Sequence, residues 1–133
     1  MLLDLVRVIE LPKILDERGN LSFLEEDKHI PFKVKRSYWI YDVPGGEIRG
    51  GHSYKENKEV IVALSGSFDV VVTDGKDQRV ISLNRSYYAL YIPKGVWRHF
   101  ENFSTNSLAF IAASTEYNAE DYERNYEEYL AKT

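Results

Sequence analysis

Punctuation, more than hydrophobicity, limits what this chain can fold into. Runs rich in Val, Ile, Tyr and Phe lie at 21–25, 33–42, 59–64, 67–73, 79–83, 87–92 and 108–113. Such residues suit a pleated, half-buried strand. Turn chemistry separates the runs, at Arg18-Gly19-Asn20, Pro44-Gly45-Gly46, Ser65-Gly66-Ser67, Asp74-Gly75 and Pro93-Lys94-Gly95. Asp74-Gly75 is the strongest hairpin signal, because glycine tolerates the positive φ that tight hairpin turns need. Short strands repeating every 8–12 residues or so predict an all-β sandwich, jelly roll or barrel.

The exception is the C-terminal end. Asn118 is placed to cap a helix, with Glu120 and Asp121 in a first turn where the helix dipole favours negative charge. Tyr122, Tyr126 and Tyr129 then fall at i, i+4 and i+7, on one face. The pattern predicts a short C-terminal α-helix whose tyrosines pack as a lid on the β structure rather than forming an aromatic ligand platform.

With 133 residues, and roughly 100–200 residues per domain as the usual range, the chain reads as one domain over 1–133, with no linker or repeat. The opening Met1-Leu2-Leu3 meets Asp4 at once, and no apolar run approaches the roughly 18 residues of a membrane span. Neither a membrane span nor a secretion signal is expected, and a cytoplasmic location is. The formal charge of −4 argues against a nucleic-acid partner. The absence of cysteine excludes a disulfide framework, thiolate metal ligation and a cysteine nucleophile.

Chemistry concentrates between Gly46 and Asn102. Gly46, His52, Glu59 and Gly66 have the spacing of the first cupin motif, with Tyr54 where that motif has a second His. Pro93, Gly95 and Asn102 fit the second motif, with Arg98 in place of its His. The chain resembles a cupin here, which implies a jelly-roll β-barrel. Positions two apart share a strand face, so His52 and Tyr54 enter the barrel together. A metal-binding cupin uses three His and one Glu. Two of those ligands are replaced, one by an arginine that stays cationic. His52 and Glu59 alone make a poor transition-metal site, so no metal is expected.

What remains suits acid–base work on an anionic ligand. A neutral imidazole takes a proton near pH 7. Tyrosines stabilise a developing oxyanion, and arginines offer paired donors to phosphate. Glu59 either orients His52 or fills a leftover ligand position. His99 follows Arg98 by one residue and should face away from the pocket. His29, in a polar turn before Pro31, reads as structural.

Five stretches carry a closer resemblance: Asp16-Glu17-Arg18-Gly19-Asn20-Leu21, residues 28–32, residues 35–42, Arg49-Gly50-Gly51-His52, and residues 93–97 with the 117–126 tail. Together they resemble the sugar 3,4-ketoisomerase family of cupins (WxcM-like). That resemblance implies small metal-free enzymes, with no cofactor, that convert dTDP-4-keto-6-deoxyglucose into its 3-keto isomer. The step leads toward amino-deoxy sugars of surface polysaccharides such as lipopolysaccharide. The family's Arg-Gly-x-His-x-His-Lys motif is matched by Arg49, Gly50, His52 and Lys55, while Tyr54 departs from it. The resemblance implies catalytic roles for His52 (the base), Tyr54 and Tyr38. Arg18, Arg36, Arg49, Lys55, Glu59 and Arg98 are the expected substrate contacts. An exposed strand edge near the N-terminus, with the resemblance, suggests a homodimer. Two rival readings are a dTDP-4-keto-sugar epimerase, whose His–Asp dyad has no counterpart here, and a non-catalytic nucleotide-sugar-binding cupin.

Overall fold

In a computed structural model describing residues 1–133, strands run in the order β1 (Arg7–Glu10), β2 (Lys13–Ile14), β3 (Leu21–Ser22), β4 (Arg36–Tyr41), β5 (Arg49–Tyr54), β6 (Glu59–Ser65) and β7 (Phe68–Thr73). They continue with β8 (Gln78–Leu83), β9 (Tyr88–Ile92), β10 (Trp97–Glu101), β11 (Leu108–Ala113) and β12 (Tyr122–Glu123), and the chain closes with helix α1 (Tyr126–Ala131). Two five-stranded antiparallel sheets result, ordered β1-β9-β6-β11-β4 and β12-β5-β10-β7-β8, with β2 and β3 as a separate ribbon. This is the expected all-β jelly roll with one short C-terminal helix. The two sheets remain open rather than closing into a hydrogen-bonded ring.

Local sequence explains the main elements. Asp74-Gly75 does turn a hairpin: the Asp74 carboxylate accepts from the amides of Lys76 and Asp77 at 3.0 and 2.9 Å, and Gly75 sits at φ +93°. β6 reads as an unbroken apolar run because both its faces are covered. Ile61 and Ala63 join Phe68, Val70, Val72, Leu90, Phe100 and Ile111 between the sheets. Val60 and Val62 pack on the other side against Leu11, Ile30 and Phe32, from the segment that crosses over that sheet. Each such valine contributes about 1.5–3 kcal/mol by leaving water.

The C-terminal segment differs from the expected helix. Asn118 caps only one 3₁₀ turn, Ala119–Asp121, by accepting from the Glu120 amide at 3.0 Å. The Asp121 carboxylate then accepts from the amides of Glu56 and Asn57 at 2.7 and 3.2 Å, and its carbonyl accepts from the Lys55 amide at 2.9 Å. Docked there, the chain runs extended as β12, pairing Tyr122 with Tyr54 and Glu123 with Ser53. The helix begins only after Asn125, whose side chain accepts from the Glu128 amide at 3.0 Å. Tyr126 and Tyr129 still form a lid, on Trp97 at ring separations of 5.0 and 5.4 Å. Tyr122 leaves that face altogether.

Candidate functional site

The site lies where β5, β10, β4 and β12 meet the first residue of β6. On β10, Arg98 pairs with His52, but Phe100 pairs with Arg49, so β5 holds one residue more than its partner across that interval. This is a β-bulge, and Gly50 at φ +76° provides it. A side chain at position 50 would meet the Arg98 guanidinium, whose Nη1 donates to the Gly50 carbonyl at 2.6 Å. Beyond the bulge β5 is buried from His52 to Tyr54.

An ion pair anchors the pocket floor. Arg98 Nε donates to Glu59 Oε1 at 2.7 Å, with the two side chains 2% and 0% exposed. Tyr38 donates to the other Glu59 oxygen at 2.8 Å and accepts from Arg98 Nη2 at 2.9 Å. Burial works against the Arg98 charge, but Glu59 and the neighbouring phenols outweigh it and hold the guanidinium above its ordinary pKa. Glu59 thus anchors Arg98 and Tyr38, at the motif position where a metal cupin has its carboxylate ligand. No group of three or more His, Cys, Asp or Glu side chains is arranged to hold a metal ion.

Above that floor stands an aromatic cluster. The rings of His52, Tyr54 and Tyr122 meet edge to face, with centroids 4.7–4.8 Å apart. The Tyr38 and Tyr54 oxygens lie 3.3 Å apart, and Tyr54 and Tyr122 oxygens 3.5 Å apart. Arg36 Nη1 donates to Tyr122 at 3.3 Å, and the Arg124 guanidinium lies over the Tyr122 ring at 4.2 Å. Burial, then the Glu59 carboxylate, pushes the Tyr38 and Tyr54 pKa values upward, so both phenols stay protonated. Burial first, then Arg98, Arg124 and Arg36, pushes His52 down to about 2. Its imidazole is neutral, and neither ring nitrogen has a hydrogen-bond partner in the chain, nor does Arg36 Nε. Buried polar atoms are rarely left unpaired, and the His52 side chain is one of those lining a cavity.

That cavity, about 320 Å³, is lined by Tyr38, Arg49, His52, Tyr54, Arg98, Tyr122 and Arg124, among others. The structure therefore brings together His52, Tyr54, Tyr38, Arg49 and Arg98, with Glu59 beneath and Arg36 beside Tyr122. Two expected contacts stand apart. Lys55 faces a separate cleft, its Nζ donating to the Glu120 carbonyl at 3.1 Å. Arg18 pairs with Asp16 through Nε and Nη2 at 3.0 and 2.8 Å, its side chain 90% exposed. His99 turns away to Glu101 at 2.9 Å, and His29 Nδ1 accepts from the Glu25 amide, both as expected. Tyr122 and Arg124 were not anticipated. Their i, i+2 spacing was the available signal, overshadowed by the helical spacing of Tyr122, Tyr126 and Tyr129.

A family model described as WxcM-like, C-terminal (FdtA) matches residues 4–133. The chain belongs to that family. Among its relatives, the TDP-4-oxo-6-deoxy-α-D-glucose-3,4-oxoisomerase of Aneurinibacillus thermoaerophilus is 40% identical, over 95% of this chain and 93% of that protein. The WlaRB TDP-quinovose 3,4-ketoisomerase of Campylobacter jejuni is also 40% identical, with a TM-score of 0.90 over 96% of this chain and 98% of its own. The sugar 3,4-ketoisomerase QdtA of Thermoanaerobacterium thermosaccharolyticum, solved in complex with TDP, is 34% identical, with a TM-score of 0.93 over 96% and 93%. Membership in the WxcM-like family agrees with the expectation carried by the Arg49–His52 motif.

Proposed function

We propose that this chain is an isomerase that moves the keto group of a dTDP-4-keto-6-deoxyhexose from C4 to C3. The observation that carries the reading is the neutral, unpartnered His52 imidazole set among phenols and arginines, in a chain 40% identical to a TDP-4-oxo-6-deoxyglucose oxoisomerase. His52 takes the proton from C3, the C4 oxygen collects the negative charge as an enediolate, and the same proton returns at C4. Oxidation at one carbon is balanced by reduction at its neighbour, so the step needs no redox cofactor. Tyr38 and Tyr54 donate to the sugar oxygens. Arg36, Arg49 and Arg98 hold the anionic substrate, with Glu59 fixing Arg98.

A base held near pKa 2 is a weak one, and an anionic substrate relieves part of that depression. Burial depresses His52 most and three arginines add to it; the negative charges of a bound diphosphate offset the arginines' part and shift the imidazole upward. Binding and activation of the base are then one event.

Residues 1–133 act as one cupin domain in the cytoplasm, on the route to surface-polysaccharide sugars, with no nucleic-acid or membrane partner. No helix is long and apolar enough to cross a membrane. The working unit is a homodimer. The β2–β3 ribbon belongs to neither large sheet and exposes Ile14, Leu15 and Leu21, and a lone two-stranded ribbon is marginally stable in water. Light scattering is expected to give twice the 15.5 kDa chain mass; a clean monomer at micromolar concentration refutes the dimer.

Incubation with dTDP-4-keto-6-deoxyglucose, followed by NMR in D₂O, tests the function. A 3-keto product is expected. Deuterium entering C3 and C5 without carbonyl migration indicates an epimerase, and binding without exchange indicates a binding protein.

A further inference from the structure

The arginines around the cavity differ in what their donors already do. Arg98 spends Nε, Nη1 and Nη2 on Glu59, Gly50 and Tyr38, and the Glu59 carboxylate matches its charge. Arg36 gives Nη1 to Tyr122 and keeps a buried Nε without a partner. Arg124 lines the cavity and is held by no carboxylate. The acidic residue beside it in sequence, Glu123, pairs instead with Lys132 at 2.8 Å. What holds Arg124 is the face of the Tyr122 ring, 4.2 Å from the guanidinium.

A ring face holds a guanidinium differently from a carboxylate. It attracts the cation without neutralising it, and it leaves the N–H fork unspent. An exposed arginine is ordinarily a solvated one, but this one is seated on a residue that touches the proposed base. The Tyr122 ring meets the His52 ring at a centroid distance of 4.8 Å, so Arg124 stands one aromatic ring away from the imidazole. Its charge reaches that far: after burial and Arg98, Arg124 is the next cause holding the His52 pKa down. The ring itself is fixed, because β12 pairs Tyr122 with Tyr54.

Under the function proposed above, on which this inference rests, His52 reaches C3 of a nucleotide-linked hexose. C1, which carries the phosphate, is two carbons away on the same ring. The phosphate joined to the sugar therefore lies within a side chain's reach of the base, and the phosphate joined to the nucleoside lies farther out. We propose that Arg124 binds the phosphate joined to sugar C1, which makes it a specificity-determining residue for substrates that carry a diphosphate. Two N–H groups of its fork match two oxygens of one phosphate. The Tyr122 ring aims the fork, and Arg36, on the hydroxyl of that same ring, supplies a second cation with an unspent donor.

The test compares wild type with Arg124→Gln, titrating dTDP and dTMP in a calorimeter at one ionic strength. The variant is expected to bind dTDP about 10- to 100-fold more weakly, the scale of a lost hydrogen bond to a charged group. Binding of dTMP, which lacks the second phosphate, should be unchanged. The KM for dTDP-4-keto-6-deoxyglucose should rise in step while kcat holds, because the contact is made equally in ground and transition states. Unchanged dTDP affinity overturns the proposal. So does an equal loss for dTMP and dTDP, which would assign Arg124 to the nucleoside end, and so does a fall in kcat with KM unchanged, which would place it at the chemical step. Should Arg124→Gln fail to fold, Arg124→Lys, which keeps the charge and removes the fork, is read by the same comparison. Wild-type protein that binds dTDP but makes no 3-keto sugar defeats the isomerase reading instead, and the ratio of dTDP to dTMP affinities still decides the role of Arg124.

Discussion

Arg98 and Phe100 leave β10 on the same side, two residues apart, and are 1% and 0% exposed. Phe100 meets Phe68 and Phe103 at ring separations of 5.8 and 6.3 Å. Arg98 meets a carboxylate, a phenol and a carbonyl, all within 3 Å. The guanidinium lies 4.9 Å from the Phe100 ring, so the boundary between apolar core and reaction site is one side chain wide. One interior thus accommodates two kinds of packing. The apolar end needs only shape. The charged end needs every donor matched, because desolvation costs several kcal/mol per ion.

The largest expected difference between the two ends is in catalysis. His52→Asn should fold, bind a dTDP-sugar through the remaining arginines, and lose about 10²–10⁴-fold in turnover. Near-wild-type turnover by folded protein would remove His52 from the mechanism. The same variant carries a pH signature. The folded pKa of about 2 lies below the ordinary 6.5, so between those values the unfolded chain binds a proton that the native chain refuses. Stability therefore falls as pH drops from about 6.5 toward 2, by at most about 1.4 kcal/mol per unit from this group. Denaturant melts at successive pH values should show a shallower acid slope in His52→Asn.

The charged end is next. Arg98→Met leaves Glu59 buried without its cation and should cost about 3–5 kcal/mol, and Arg98→Met with Glu59→Leu should recover much of that loss. Urea unfolding of both decides it; a double variant no more stable than the single would mean that the surrounding phenols, rather than the stranded charge, set the cost. The smallest effect belongs to the apolar end. Phe100→Leu should cost about 1 kcal/mol and leave turnover unchanged, and a fall in turnover per folded molecule would show that the boundary at Arg98 depends on the aromatic ring.

How far this could be read beforehand depends on the range of the forces involved. Asp74-Gly75 and the apolar run of β6 declare themselves within a few residues. The His52, Glu59 and Arg98 constellation was legible because motif spacing places each on a known strand position. Arg18 was assigned to the site by resemblance, yet within one chain its near neighbour Asp16 claims it. Tyr122 went unread for the opposite reason. Its place follows from the Asp121 carboxylate capping amides at Glu56 and Asn57, far away in sequence, and this contact outweighs a locally plausible helix.

Pairing β12 with β5 has a consequence for how these molecules keep apart in solution. Without Tyr122 and Glu123, β5 would be the outermost strand of its sheet, with a row of amides and carbonyls open to any passing strand. Unguarded edges of that kind template aggregation. The same two residues that bring a phenol beside His52 also cover the Ser53–Tyr54 end of that edge. A truncation before Tyr122 is therefore expected to surrender solubility and reactivity together.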